Sequence, residues 1–266
     1  MLKFGMPTLI ESATLEECAA LCRTLGLDFI ELNMNLPQYQ PDTIDIERFR
    51  RIAKENGIFY TIHLDENLNV SDFNPYVADA YLRTVKESIA LAKQLEAPLL
   101  NMHLSRGVYF TLPERKVYLF SEYREQYLRT IAAFRDVCEK TIGDAGIRIS
   151  VENCSGWQDF QKEALELLLA SPVFSLTLDI GHNHGSGGAD ETFILAHRDR
   201  LCHMHMHDAL GKKDHMALGT GELELSRYLA LAQESCRTVV LETKTVAGLC
   251  ASVAWLRTHH PHSTVC

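Results

Sequence analysis

Eight short apolar runs punctuate the chain: Leu2–Met6, Phe29–Leu32, Phe59–Ile62, Pro98–Met102, Ile147–Val151, Phe174–Ile180, Leu201–Met206 and Val239–Leu241. They favour β-branched and aromatic residues and are short enough to be strands buried on both faces. Between them, apolar residues recur with the period of helices that bury one face. Thr14-x-x-Glu17 opens the first helix as a capping box, in which hydroxyl and carboxylate satisfy free amides. Leu15, Cys18, Ala19 and Cys22 form its apolar stripe, and Gly26 offers the left-handed residue that ends it. Ile46–Asn56 stops on Gly57 in the same way. Further helices are expected over Asn74–Leu95, Lys116–Thr141, Phe160–Ala170, Glu191–Arg198, Leu225–Glu234 and Val246–Thr258.

Strands that alternate with helices pair in parallel, each connection carrying a crossover helix. Eight such units close into a single (β/α)8 TIM barrel, an α/β fold. An open doubly wound sheet is the alternative, but no Gly-x-Gly-x-x-Gly follows any run. The 266 residues, 46% of them hydrophobic, show no Pro-, Gly- or Ser-rich break. The chain therefore reads as one domain over 1–258 and a tail over 259–266 that holds His259, His260 and His262.

No run approaches the ~18 apolar residues of a membrane span, and Met1–Gly5 lacks a signal peptide's apolar region. A net charge of −9, from 26 basic and 35 acidic residues, disfavours nucleic acid and anionic membranes as partners. Eight scattered cysteines without a Cys-x-x-Cys pair read as reduced core thiols. These features fit a cytoplasmic protein, and self-association into a homo-oligomer stays open.

Candidate chemistry is concentrated. Eight of the twelve histidines stand at or just after an expected strand end: His63, His103, His182, His184, His203, His205, His207 and His215. Glu152, Asp179 and Glu242 end the fifth, sixth and eighth runs. In a barrel, that rim carries the active site. A carboxylate aimed into a tight space is costly unless it is paired, and convergent carboxylates and imidazoles offset the cost by holding a divalent cation. Mixed nitrogen and oxygen donors suit Zn2+ or Mn2+, as one or two ions. In Leu201–Asp208 the period of two puts His203, His205 and His207 on one face. Only the top of that face reaches the mouth, so at most two of the three touch metal, and His203 reads as a satisfied core residue. Glu31 reads as an acid that orients a neighbour. Gly181–Gly188 and Gly219-Thr220-Gly221 are either phosphate cradles or flexible loops.

Asp179-Ile180-Gly181-His182, then His205-Met206-His207-Asp208, then Asp214 through Gly221, resemble the xylose-isomerase-like TIM-barrel superfamily along nearly the whole chain. That group includes sugar isomerases and epimerases, inosose dehydratase/isomerase-type proteins and endonuclease IV. The resemblance implies a metal held by Glu152, Asp179, His205 and Glu242, with the two glutamates as an acid/base pair across a sugar. From the endonuclease branch it implies further ligands at His63, His103, His182 and His215. Lys213 stands where that branch has an Asp two residues before the last histidine, which leaves a third zinc site incomplete. Gly211 stands where ketohexose epimerases carry an Arg. His182, Arg106, Lys212, Asn153 and Trp157 are expected to bind substrate.

Two functions follow from this set. One is a metal-dependent isomerase or epimerase acting on a carbohydrate or its phosphate. The other is an endonuclease IV-like phosphodiesterase with two metals bridged by Glu152. The loops at the mouth separate them: Asp42, Asp45 and Glu47, then Asp65, Glu66 and Asp72, then Asp190 and Glu191 would repel a phosphate backbone. Arg106, Arg115, Lys116, Lys212 and Lys213 suit one small anionic substrate better. A non-enzymatic metal-binding barrel is the third reading.

Overall fold

The computed structural model describes residues 2–260. Its strands are β1 (Lys3–Pro7), β2 (Phe29–Asn33), β3 (Phe59–His63), β4 (Leu99–His103), β5 (Arg148–Glu152), β6 (Phe174–Asp179), β7 (Leu201–Met206) and β8 (Thr238–Leu241). They form a closed barrel, each beside its neighbour in sequence, with β8 returning to β1. All eight expected runs are strands. Several extend beyond the apolar pattern because the ladder continues through polar residues, as where His103 pairs with Glu152 and Asp179 with His205. The polar ends of these strands carry the site.

The strands alternate in character. Ile149 and Val151 join the apolar core, while Ser150 and Glu152 join a polar interior. Within that interior the Thr177 hydroxyl contacts Ser150 Oγ at 2.6 Å and Asn101 Oδ1 at 2.7 Å, and Thr61 donates to Glu31. Phe29 plugs the lower end, stacked on Phe59 at 5.0 Å. A Cβ on Gly5 would lie 2.5 Å from the Phe29 ring, so a glycine is needed there.

Thr14 caps the first helix (Leu15–Thr24), accepting from Glu17 N, and Glu17 accepts from Ala13 N. Gly57, at φ 67°, ends Ile46–Asn56 as expected. Three segments differ from expectation. Lys116–Tyr118 is a strand, paired antiparallel with Tyr109–Thr111, so the helix expected from Lys116 begins only at Leu119 and runs on through Arg124–Ile142. The β-formers Tyr109, Phe110, Val117 and Tyr118, set about Pro113, outweigh helix periodicity there. Asp208–Leu210 and Lys213–Met216 make a second hairpin about Gly211, at φ 59°. The glycine-rich stretch after β6 starts as a short helix, Ile180–Gly185.

The last helix, Val246–His259, takes in the start of the expected tail, because the His259 ring stacks on Trp255 at 4.6 Å. The remainder of that tail, 261–266, lies outside the described residues. Among the described residues, all seven cysteines are free, and no helix is long and apolar enough to cross a membrane.

Candidate metal centre

Glu152 is the hub of the mouth. Its Oε2 lies 3.4 Å from each of His63 Nε2, His103 Nε2 and His205 Nδ1, and its Oε1 lies 3.4 Å from His182 Nδ1. Glu242 Oε2 stands 3.2 Å from His205 Nδ1, and Asp179 Oδ2 stands 3.9 Å from the same atom. Four of these buried atoms have no hydrogen-bond partner: His103 Nε2, His182 Nδ1, His205 Nδ1 and Glu242 Oε2. An unsatisfied buried polar atom costs about 1–3 kcal/mol, more if charged. Several facing one point mark a place that a cation would complete. One donor atom from each of Glu152, Asp179, His205 and Glu242 falls within a 4.8 Å cluster, as do those of His63, Glu152 and His205. The residues therefore fit a divalent ion.

The nitrogens that face away from this point are mostly spoken for. His63 Nδ1 lies 2.8 Å from the Leu64 carbonyl and His215 Nδ1 lies 3.1 Å from the Glu242 carbonyl. Carbonyls only accept, so these nitrogens carry the proton and the Nε2 lone pairs face the donors. His205 Nε2 sits 2.8 Å from Glu31 Oε1 in a bent contact, which leaves Nδ1 for the cluster. Glu31 is itself held by Thr61 and His203, so it orients a neighbour, as the sequence suggested. Such outer partners fix ring orientation and raise ligand basicity.

The motif Asp179-Ile180-Gly181-His182 has a local cause. Asp179 caps the short helix by accepting from His182 N at 2.6 Å, which turns Oδ2 toward His182. Gly181 leaves room for the His207 ring, which a Cβ would meet at 2.0 Å.

Charge at the centre is tightly coupled. Burial opposes ionisation of Glu152, yet His205 and His103 hold it well below the usual carboxylate range. Burial likewise opposes charge on Asp179, and His207 and His182 outweigh it, so its pKa is lowered. Burial works against protonation of His63, but Glu152 raises it to about 9; for His182, Asp179 and Glu152 overcome burial and raise it to about 10. Burial dominates at His203 and His215, and both are lowered. His203 is the satisfied core residue expected, bonded to Thr238 and Glu31.

All eight expected metal donors converge on this mouth. A ninth joins them. Asp214 lies with His182 and His215 in a cluster within 4.8 Å, so the triad that looked incomplete at Lys213 is completed one residue later. A hairpin register, invisible in spacing alone, brings Asp214 round. Asn101 was also missed: its amide donates to Glu152, and a polar residue inside a buried run was the available signal.

The expected substrate residues fare unevenly. His182 lines a cavity of about 520 Å³ with Glu152, Glu242, Asn33, Glu66 and Lys244. Lys212 lines an adjoining cavity of about 310 Å³ with His182 and Asp214. Arg106 is spent on the Ser155 and Gly156 carbonyls. Asn153 is fully buried, its amide clamping the Asp179 backbone, and Trp157 is buried against Phe193 at 5.7 Å. None of these three faces the donors.

The acidic screen also shrinks. Asp45 caps a helix, Asp72 accepts from Asn74 N, Asp190 turns inward to Gly156 and Trp157 amides, and Glu191 pairs with Arg227. Glu66 alone of the eight loop acids lines the larger cavity. Gly219-Thr220-Gly221 is neither a cradle for phosphate nor loose, because the Asp208 carboxylate accepts from Gly219 N and Gly221 N.

The family described as xylose isomerase-like TIM barrel matches residues 19–259. An uncharacterised protein of Methanocaldococcus jannaschii is 26% identical over 236 residues, covering 86% of this chain and 83% of its own. Among solved structures, a D-tagatose 3-epimerase-like protein superposes with TM-score 0.78 at 22% identity, covering 97% of this chain and 96% of that one. The IolI protein, solved with a bound zinc atom, superposes with TM-score 0.72 at 15% identity, over 97% of this chain and 96% of its own.

Proposed function

The chain belongs to the xylose isomerase-like TIM-barrel family, and from that premise we propose that it is a metal-dependent isomerase or epimerase of a sugar or sugar phosphate. The observation that carries this reading is the pair Glu152 and Glu242, brought from the ends of β5 and β8 to the same atom, His205 Nδ1, at 3.4 and 3.2 Å. The cavity above them, about 520 Å³, is of the size that encloses one small ligand. Relatives of the same fold include a D-tagatose 3-epimerase-like protein, which supports a sugar as substrate.

Glu152, Asp179, His205 and Glu242 would hold the ion. A divalent cation supplies Lewis acidity toward a carbonyl and its neighbouring hydroxyl oxygen. Glu152 takes the proton from the carbon beside the carbonyl and Glu242 returns one. Against its burial, His205 and His103 keep Glu152 ionised, the form a general base must start from, while the same lowering weakens it as a base. His182 touches the substrate from the rim, and Lys212 and Lys213 receive its anionic end in the adjoining cavity.

Purified without added metal, the protein should carry Zn2+ or Mn2+. Elemental analysis that finds only trace transition metal would refute this.

A second reading has its own observation. The sets His63–His103–Glu152 and His182–Asp214–His215 flank the four-residue cluster and make room for further ions, as phosphodiester hydrolysis uses. The two readings part on abasic duplex DNA. We expect no incision, because Lys244 is the one lysine or arginine among the residues lining the cavity, against Glu66, Glu152, Asp214 and Glu242. Incision that disappears in Glu152→Ala would establish the second reading.

A further inference from the structure

We infer that His207, fully buried and close enough to His215 and Glu242 to share an ion with them, is instead a positioning residue that sets one ligand in each of two neighbouring donor clusters; the inference rests on the metal reading just proposed. Its Nδ1 lies 2.8 Å from the backbone nitrogen of His215, in a hydrogen bond that the His215 N–H donates. A backbone N–H can only donate, so Nδ1 carries a lone pair; the Asp208 carbonyl, 3.4 Å from the same atom, is the longer and weaker contact. A neutral imidazole has one N–H, which must then be on Nε2. Nε2 lies 3.1 Å from both Asp179 oxygens and donates to them. The ring is thus used up on both sides. Nε2 cannot ligate while it holds its proton, although it stands 3.9 Å from Glu242.

The two bonds reach different clusters. Asp179 belongs with Glu152, His205 and Glu242; His215 belongs with His182 and Asp214, and also lies with Glu242 and His207 itself. His215 needs the help, because it adopts the left-handed φ of 51° that side chains other than glycine rarely take. The His207 ring underpins it twice, by accepting its amide and by stacking on its imidazole at 4.3 Å and 20°. Gly181 keeps the ring's seat open, since a Cβ there would sit 2.0 Å from Cε1. One imidazole therefore couples the hairpin holding Asp214 and His215 to the strand end holding Asp179.

The direct test is 15N NMR of zinc-loaded protein labelled at histidine nitrogens, with the His207 signals identified by their loss in His207→Gln. The expected spectrum has Nε2 protonated and Nδ1 bare. A protonated Nδ1, or a zinc-bound Nε2, would overturn the inference and make His207 a ligand or a passive core residue.

Two variants then split the roles. His207→Gln keeps a donor toward Asp179 and His207→Asn keeps an acceptor for the His215 amide. Measured by chelator competition with Zn2+, each should weaken one ion by about 10–100-fold and spare another, the affected ion differing between them. Unchanged affinity in both folded variants, or loss of the same ion in both, would overturn the inference. Wild type that binds no zinc would instead sink the metal reading beneath it.

Discussion

Glu152→Gln and Glu242→Gln should each lower kcat by at least about 10²-fold, and up to about 10⁴-fold, at saturating metal. Glutamine keeps the size and one ligand oxygen but cannot accept the substrate's proton. Glu152 sits almost fully buried among His63, His103, His182 and His205, so its replacement also removes the negative charge those imidazoles face. Glu242 is the more open of the two, at 22% exposure of its side chain, and accordingly should lose less metal affinity for a similar loss in rate. The comparison of kcat with metal affinity is the informative one. If both carboxylates only hold metal, each variant recovers full kcat once metal saturates, and the assigned proton transfers are refuted.

Metal removal should have the next largest effect, on stability. An ion present at about 100 times its Kd adds about 2.7 kcal/mol to the folded state. In a chain of this size each kcal/mol moves Tm by roughly 2–4 °C, so stripping should lower Tm by roughly 5–10 °C. The pH dependence carries more information. In the metal-free protein, His63 and His182 are raised to about 9 and about 10 by the carboxylates they face, against the opposing effect of burial. Their contribution is fully present below the unfolded pKa near 6.5 and is lost as pH rises through 9 and 10. Glu152 and Asp179 are depressed, so their contribution is present above the unfolded carboxylate range and is lost in acid. Metal-free protein should therefore lose Tm between about pH 6.5 and about pH 10 more steeply than metal-loaded protein, whose histidines are bound as neutral ligands. Parallel melting profiles over that range would mean that the buried charges are not balancing one another as the geometry implies.

The barrel and the strand-end carboxylates of the candidate site were legible in the sequence for the same reason. A parallel strand must be apolar on the side facing the helices, so each run announced itself, and the first polar residue after it fell on the rim. Glu152, Asp179 and Glu242 were found in that way, and the family resemblance singled out His205 from the three alternating histidines. What was not legible depended on geometry beyond strand periodicity. Asp214 joined the donors through a hairpin bend at Gly211, whereas spacing had pointed to Lys213. Asn153 and Trp157 were expected to bind substrate, but the chain turns them into the wall, where Asn153 clamps Asp179 and Trp157 meets Phe193. The acidic loops misled because sequence gives the sign of a charge but not its partner: Asp45 caps a helix and Glu191 binds Arg227. His207 looked like one of three alternating histidines, and only its contacts with Asp179 and the His215 amide separate it from His205.

Solvent exchange tests proton transfer between Glu152 and Glu242 most directly. With metal-loaded protein and a ketose or ketose phosphate that it turns over, reaction in D2O should place deuterium on the carbon next to the carbonyl. Glu152→Gln, lacking the base for that step, should not catalyse the exchange. Turnover of the sugar by wild type with no deuterium incorporated would contradict the account, and would point to transfer of hydride between carbons without a solvent-exchanging glutamate.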